Sequence, residues 1–314
     1  MTARTTGSTT PAGSVPTSVT ATDAPPRAIK QTSKSWRAGS TRAGTIAANL
    51  AAVTVVLIAL FPVYWMVNTS FQRGVDIQGS PHFLPFGTGT LNNYRKVFNR
   101  DYFFQAFQNS LIVTLLVVSC GLALALFAAV ALARLRFRGR TSFIITVLVI
   151  QMIPPEAMVI SLFKVLDGWH LVNTIFGLTL VYLVFVLPFT IWTLRGFVAG
   201  VPVDLEEAAM VDGCSRFKAF RKVTFPLMAP GLIATGTFAF IQAWNEFIFA
   251  LVLMNRPESQ TLPVWLQAFN EGAKGTDWGG VMAGSTVLSI PVIIFFLVVQ
   301  SRMSEGLMAG AVKG

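Results

Sequence analysis

Six apolar runs divide the sequence, and polar or turn-forming segments separate them. Each run has about 20 residues, which is the length that crosses the hydrocarbon core of a bilayer as a helix. A chain in lipid must satisfy its own backbone hydrogen bonds, so each isolated run has to be helical. The pattern predicts an all-α membrane protein with six transmembrane helices at residues 46–67, 111–132, 143–163, 174–194, 231–253 and 281–299.

The first 40 residues differ from the rest of the chain. Thr, Ser, Ala and Pro dominate this segment, and large apolar side chains are almost absent from it. Such a segment cannot bury enough apolar surface to fold. We therefore expect a disordered tail at residues 1–40 and a single membrane domain at residues 45–314.

Composition and charge agree with a membrane protein. Hydrophobic residues make up 53% of the 314 residues and charged residues 12%, with a mean hydropathy of +0.62. Soluble domains carry about twice this charged fraction. The net charge of +10 does not indicate nucleic-acid binding, because the cations lie at the ends of the apolar runs. Most of the 24 Lys and Arg residues fall on one side of the predicted spans, which predicts that both termini are cytoplasmic.

A polar segment between the fourth and fifth runs carries strong helix signals. Asp204 is a candidate N-cap for a first short helix. Gly213 predicts the end of that helix in a left-handed conformation, and Ser215 predicts the cap of a second helix. Pro226 is expected to close the second helix. The polar segment, residues 204–226, is therefore predicted to form two short helices joined by a tight bend.

The second of these helices combines aromatic residues with a cationic coat. Phe217 and Phe220 are three residues apart, so a helix would place them on one face. The cations around them are Arg216, Lys218, Arg221 and Lys222. This pattern is typical of an amphipathic surface helix.

The polar segment resembles the cytoplasmic signature loop of permease subunits in bacterial ABC importers. That signature reads Glu-Ala-Ala, three residues, Gly, nine residues and Ile-x-Leu-Pro, and this chain matches its spacing throughout. Val223 and Phe225 replace the usual Ile and Leu, and Cys214 stands where a small alanine is usual. The resemblance implies that the segment docks on a separate ATPase. The residues to which it assigns this coupling role are Glu207, Ala208, Ala209, Asp212, Gly213, Phe217 and Pro226.

Further motifs are similar to the carbohydrate-uptake branch of these permeases, the group that includes the G subunit of the maltose importer. They are AWNEF at 243–247, TLP at 261–263, DWG at 277–279 and GLMAGAVKG at 306–314. The resemblance implies a bacterial plasma-membrane location. It also implies an assembly with a second homologous permease, two ATPase subunits and an extracellular solute-binding protein. In such an assembly Gly310, Lys313 and Gly314 would contact the ATPase.

The sequence lacks the residues that would let this chain hydrolyse ATP itself. No Gly-Lys dipeptide occurs, so the phosphate-binding loop GxxxxGK(S/T) is absent. The two histidines, His82 and His170, lie in different predicted outer loops, and no catalytic constellation is visible. We therefore expect no enzyme activity and no cofactor or metal in this chain, with Mg-ATP bound by the partner ATPase.

Two carboxylates lie within the predicted spans, where a charge is costly unless it faces a partner or water. The first, Glu156, follows Pro154 and Pro155, which are expected to break the helix, and Gln151 lies near the same face. Two interpretations stay open. The broken helix either lines a substrate path, or it lies at the outer end of its span with Glu156 in water.

The second carboxylate, Glu246, belongs to a polar stripe. Gln242, Asn245 and Glu246 have helical spacings of three and four, and Trp244 flanks them. Amides and carboxylates bind hydroxyl groups, and aromatic faces suit sugar rings, so the stripe is a candidate sugar site. The alternative is that it hydrogen-bonds to neighbouring helices. No Lys or Arg lies within the spans, which favours a neutral mono- or oligosaccharide.

Two other interpretations are compatible with parts of the sequence. A secondary transporter or channel acting without an ATPase would have several ionisable groups within the bundle and an internal repeat. Neither feature is evident in this sequence. Within the importer interpretation, a polyol or glycerol phosphate is the alternative cargo, provided that the second permease supplies the countercharge.

Overall fold

The computed structural model describes residues 42–79, 82–83, 89–270 and 275–311, and this part of the chain is almost entirely helical. The predicted tail at 1–40 lies outside the described residues. The α-helices are α1 Arg42–Ser70, α2 Gly74–Gln78, α3 Asn92–Asn99, α4 Phe103–Arg134, α5 Arg140–Ile150, α6 Val159–Gly168, α7 Ile175–Gly200, α8 Val203–Val211, α9 Arg216–Ala219, α10 Phe225–Leu227, α11 Ala229–Asn245, α12 Ile248–Leu253, α13 Leu262–Trp265 and α14 Trp278–Ala311. Turns of 3₁₀ helix lie at Pro155–Met158, Pro257–Ser259 and Leu266–Phe269, and a π-helical turn lies at Phe220–Thr224.

The chain separates into two compact units, Met1–Val56 and Leu57–Gly314. The described part of the first unit is the amino-terminal half of α1, where apolar side chains such as Leu50 and Val53 are exposed. The second unit contains the remaining helices and all of the sites described below.

Four described helices, α1, α4, α7 and α14, are long and apolar enough to cross a membrane. Each includes nearly all of the run predicted at its position, because a long apolar run in lipid can only be helical. Two further spans result if each of two bent helix pairs counts as one. One pair is α5 with Pro155–Gly168, bent by 91°, and the other is Arg216–Leu227 with α11, bent by 67°.

Two of the six predicted runs are interrupted in the structure, one as predicted and one not. The run at 143–163 breaks at the proline pair, as predicted, because proline removes a helical N–H and its ring clashes with the preceding turn. The prediction of one continuous helix at 231–253 is wrong. There α11 ends at Asn245, and two residues in non-helical conformation precede α12.

The centre of the second unit is formed by α4, α7 and α11. Small residues of α4, including Ala125 and Ala129, are buried in a cluster with Leu194 and Val198 of α7. At Gly121 an added Cβ would already lie 3.4 Å from the side chain of Leu183. Small residues let membrane helices approach closely, so van der Waals packing holds this pair together.

Aromatic side chains and a buried amide close one end of the second unit. The ring of Trp265 lies 5.2 Å from that of Phe103 and 5.4 Å from that of Phe269, in edge-to-face contacts. The buried side chain of Asn93 on α3 donates to the carbonyl of Ser70 at 2.9 Å. The end of α1 is thereby fixed to α3.

An ion pair joins α3 to the start of α14. Lys96 Nζ donates to Asp277 Oδ2 at 2.8 Å, and the N–H of Gly280 donates to Oδ1 at 3.1 Å. Burial by itself raises the pKa of Asp277. The hydrogen bonds from Lys96 and Gly280 and the charges of Lys96 and Arg100 outweigh this effect, so the pKa lies below its usual value.

Candidate functional site

The first helix of the polar segment begins two residues earlier than the sequence predicts. It starts at Val203, and Pro202 occupies the N-cap position without a side-chain hydrogen bond. The prediction of Asp204 as N-cap is therefore wrong. Asp204 lies in the first turn instead, where its negative charge is favourable at the positive end of the helix.

The bend between α8 and α9 has the predicted glycine. Gly213 adopts φ +86°, and the N–H of Cys214 donates to the carbonyl of Ala209 at 3.0 Å, which is a bond of the Schellman C-cap. On the other side of the bend, Ser215 Oγ accepts the N–H of Lys218 at 3.4 Å. The predicted helix end and the predicted second cap are both confirmed.

The helical path does not stop at Pro226, contrary to the prediction. After α9 the chain continues through the π-helical turn Phe220–Thr224 and into α10, where Pro226 lies in the first turn. Proline is tolerated there because its missing N–H would not be needed by the helix. The change of direction follows Leu227, where the segment meets α11.

One member of the Glu206-Glu207 pair anchors α8 to the bundle. Glu206 Oε1 lies 2.8 Å from Arg134 Nη2 and accepts the hydroxyl of Thr224 at 2.5 Å. Arg134 Nη2 also donates to the carbonyl of Val201 at 2.9 Å. These contacts tie α8 to the last residue of α4. Neither Arg134 nor Glu206 could be singled out from the sequence, because nothing local distinguishes the two adjacent carboxylates.

Much of the polar segment is exposed. Six of the exposed residues, Glu207, Ala208, Val211, Asp212, Gly213 and Phe217, are called the hairpin surface here, and the cations Arg216, Lys218, Arg221 and Lys222 are exposed beside them. The apolar side chains of Val211 and Phe217 are 87% and 73% exposed. Exposed apolar groups concentrated in this way are typical of a protein interaction site. The two remaining residues with a predicted coupling role are not part of this set. Ala209 is half-buried, and Pro226 is exposed further along the segment, in α10.

The two phenylalanines of the second helix, which are predicted to share one face, differ in burial. Phe217 is exposed, whereas Phe220 is half-buried against the cluster that contains Val198 and Met228.

A cavity of about 150 Å³ lies where α7, α11, α12 and the turn Pro155–Met158 meet. Its polar lining groups belong to Glu156, Tyr182, Gln242 and Glu246. Phe185 and Phe249 form part of the apolar wall, and their rings stack at 4.9 Å. The structure thus brings together three of the six residues predicted for a substrate path.

Glu246 occupies the break between α11 and α12. Its carboxylate accepts the N–H of Phe249 at 2.8 Å and the N–H of Ala250 at 3.0 Å. It also accepts the hydroxyl of Tyr182, on α7, at 2.6 Å. Tyr182 was not among the residues predicted from the sequence. The only available signal was a polar hydroxyl within an apolar run, and nothing in the sequence pairs it with Glu246.

Trp244 does not line the cavity, although the sequence analysis placed it beside the polar stripe. It is buried, its Nε1–H donates to the carbonyl of Leu288 on α14 at 3.1 Å, and its ring stacks on Phe240. Two residues turn a helix by about 200°, so Trp244 and Gln242 lie on opposite faces of α11.

Gln151 and Asn245 also lie outside the cavity lining. Gln151 is exposed at the end of α5. Asn245 is exposed as well, and its Nδ2 donates to the carbonyl of Ile241 in its own helix at 2.9 Å. The polar stripe is therefore divided, because the helix ends before Glu246.

The carboxyl-terminal positions with a predicted ATPase contact are only partly described. Gly310 lies within α14, which runs to Ala311. Lys313 and Gly314 lie outside the described residues.

The sequence matches one protein family over more than half of its length. The model of the binding-protein-dependent transport system inner membrane component family matches residues 121–307, which include the hairpin surface and the cavity. The chain belongs to this family. The resemblance seen in the polar segment is thereby confirmed, and the chain is a multi-pass membrane protein.

Curated relatives match along most of their length. The diacetylchitobiose uptake system permease protein DasC of Streptomyces coelicolor is 45% identical over 86% of this chain and 98% of the relative. The trehalose/maltose transport system permease protein MalG of Thermococcus litoralis is 37% identical over 84% and 95%. The trehalose transport system permease protein SugB of Mycobacterium tuberculosis is 38% identical over 83% and 94%.

A solved structure shares the fold. The crystal structure of a bacterial ABC transporter involved in the import of the acidic polysaccharide alginate matches with a TM-score of 0.71 and 24% identity. The match covers 83% of this chain and 98% of that chain. It confirms the predicted fold class, an all-α membrane protein.

Proposed function

We propose that this chain is a permease subunit of an ATP-driven sugar importer, in which it forms half of the translocation path. The family consists of transport components, and three relatives are named for the uptake of diacetylchitobiose, trehalose or maltose. The observation that carries the proposal is the hairpin surface, a set of exposed apolar and acidic residues with exposed cations beside it, on a helix pair that is fixed to the bundle. A separate ATPase is the partner that this surface would receive.

The connections of the polar segment support a mechanical role. Glu206 ties α8 to α4, and α8 follows α7 after only two residues, Val201 and Pro202. On the other side, α9 leads through α10 to α11 with a single change of direction. A force on the hairpin surface would therefore tilt α4, α7 and α11 together. The end of α11 lines the cavity, so the tilt would alter the path.

The proposed assembly has four kinds of component. This chain pairs with a second homologous permease, two ATPase subunits bind Mg-ATP beneath the pair, and an extracellular solute-binding protein delivers the sugar. The distribution of Lys and Arg supports six spans with both termini in the cytoplasm of a bacterial cell. Gly310, Lys313 and Gly314 would then lie on the side of the ATPase.

A neutral mono- or oligosaccharide is the proposed cargo. The described cavity lining has two carboxylates, Glu156 and Glu246, and no Lys or Arg. An anionic cargo would therefore meet only like charge from this subunit. The relatives named for diacetylchitobiose, trehalose and maltose also support an uncharged sugar.

The test begins with purification of the tagged chain from a bacterial membrane and mass identification of the proteins that remain bound. We expect an ATPase and a distinct permease. The complex is then reconstituted in liposomes with the solute-binding protein. Uptake of labelled trehalose, maltose and diacetylchitobiose is compared with that of an alginate oligosaccharide. ATP-dependent uptake of a neutral sugar supports the proposal. Transport by this chain alone, driven by an ion gradient, would contradict it.

A further inference from the structure

We propose that Glu246 is a positioning residue that fixes the break between α11 and α12, whereas Glu156 and Gln242 are the groups of this cavity that contact the cargo. The inference rests on the proposed function, in which the cavity belongs to the sugar path. It assigns opposite roles to two carboxylates that line the same cavity.

The backbone around Glu246 shows why a positioning group is needed. The first N–H groups of a helix have no acceptor within that helix. Phe247, the N-cap residue of α12, offers no side-chain hydrogen bond. The Glu246 carboxylate supplies the missing acceptors, since Oε1 accepts the N–H of Phe249 and Oε2 accepts the N–H of Ala250. Glu246 thus caps α12 from one residue before its usual cap position.

A hydrogen bond from Tyr182 connects this cap to α7. Its hydroxyl donates to Glu246 Oε2 at 2.6 Å, and the tyrosine is only 3% exposed. The carboxylate therefore holds three donors that come from α7 and α12. These donors occupy three of the roughly four acceptor sites of a carboxylate, so a sugar hydroxyl would find one site left, on Oε1. Each of the three existing bonds is a charge-assisted hydrogen bond, stronger than a bond between neutral groups.

The other two polar side chains of the described cavity lining, Glu156 and Gln242, are not held by hydrogen bonds in this way. Glu156 and Gln242 are exposed, and within the described part of the chain their side chains have no hydrogen-bond or ion-pair partner. A free carboxylate accepts sugar hydroxyls, and an amide both donates and accepts. The two groups come from different elements, the turn Pro155–Met158 and α11, so a cargo between them would contact both walls of the cavity.

The position of α12 depends on the cap. Ile248 and Phe249, in the first turn of this short helix, form part of the cavity wall. Loss of the Glu246 carboxylate would release both N–H bonds and the tie to α7. We therefore expect substitutions of Glu246 to change the rate of passage through the cavity, and substitutions of Glu156 or Gln242 to change cargo affinity.

The experiment uses the complete importer reconstituted in liposomes and compares E246Q, Y182F, E156Q and Q242L with the wild type. Amide hydrogen exchange is measured by mass spectrometry on a peptide that covers residues 247–254. Uptake of labelled trehalose, maltose and diacetylchitobiose gives the maximal rate and KM for each variant. The matched control is T179V, which removes a buried hydroxyl that bonds only within α7.

For E246Q we expect the amides of the 247–254 peptide to exchange at least about tenfold faster than in the wild type, because charged hydrogen bonds are lost. The maximal rate of uptake by E246Q should fall by at least about tenfold as well. Its KM should stay within about twofold of the wild type, since cargo contacts are intact. Y182F should show the same pattern at smaller amplitude. E156Q and Q242L should raise KM with exchange unchanged. T179V should leave exchange, maximal rate and KM unchanged.

The proposal is overturned if E246Q raises KM while exchange and maximal rate stay at the wild-type values. If E246Q fails to assemble, Y182F decides the question, because it removes one hydrogen bond and leaves the charge in place. If the wild-type importer carries none of the three sugars, the proposed function fails. The exchange comparison then still determines whether Glu246 positions α12.

Discussion

Arg134 and Glu206 form an ion pair of 2.8 Å in which the two side chains are only 16% and 19% exposed. The pair joins the last residue of α4 to the first turn of α8. Glu207, the next residue, is exposed on the hairpin surface. Of two adjacent carboxylates, one thus holds the segment to the bundle and the other is exposed.

Replacing Glu206 by Gln should destabilise the protein. The half-buried guanidinium of Arg134 would lose its charged partner, which costs about 1–3 kcal/mol. The matched variant E207Q should stay within about 0.5 kcal/mol of the wild type, because Glu207 is exposed. Thermal unfolding of the purified chain in detergent measures both. Equal effects of the two substitutions would refute the difference in role.

The hairpin surface should be needed for coupling and not for stability. F217A removes an exposed ring, so the melting temperature should change little, while binding of the ATPase weakens by about tenfold or more if the ring is a central contact. E207A should abolish uptake. It should leave the binding of sugar to the solute-binding protein intact. Co-purification of the ATPase and uptake assays measure these effects. Wild-type uptake by both variants would exclude the coupling role.

Gly213 should tolerate only residues that accept a left-handed backbone. Nothing lies within 4 Å of an added Cβ, so strain at φ +86° is the sole cost of a side chain. We expect G213A to cost about 1–2 kcal/mol and G213N less, because Asn visits this conformation more readily. G213P cannot adopt it at all and should abolish uptake. The order Asn, Ala, Pro in unfolding and uptake is the diagnostic result, and an effect that follows side-chain size instead would argue against backbone strain.

Gly231 should be required for the contact between α11 and α7. A Cβ there would overlap the ring of Phe197 on α7, so the ring or the helices would have to shift. G231A should therefore destabilise the protein by about 1–3 kcal/mol through overpacking. The double variant with F197A makes room for the methyl group and should recover part of the loss. Unfolding of the four proteins in a double-mutant cycle measures the coupling, and additive effects would show that the contact is unimportant.

Asp277 should add stability that disappears in acid. Its pKa is lower in the folded chain than its usual value near 4, so the ionised form is favoured by folding. The contribution is fully present above the usual pKa and is lost as the pH falls through the lower folded-state pKa. The wild type should exceed D277N by up to about 1 kcal/mol at pH 7, because Lys96 is half exposed. Unfolding from pH 7 to pH 3 measures the gap, which should shrink; a gap that widens in acid would contradict the assignment.

The sequence by itself determined the helical class, most of the apolar helices and the bend at Gly213. These features are local. Helical hydrogen bonds form within a run, an apolar run in lipid has no other way to satisfy its backbone, and a left-handed residue after a helix selects glycine. The break at Pro154 and Pro155 belongs to the same group, since proline acts on its own turn.

Only the tertiary structure decided which polar groups meet. Tyr182 and Glu246 are 64 residues apart and come into contact because α7 packs beside α12. Glu206 rather than Glu207 faces Arg134 because of the phase in which α8 starts, at Val203. Trp244 faces α14, where its indole N–H meets the carbonyl of Leu288, because of how α11 packs beside that helix. Helix phase at an end, and the choice of neighbour, depend on packing between distant segments, which no local pattern of residues specifies.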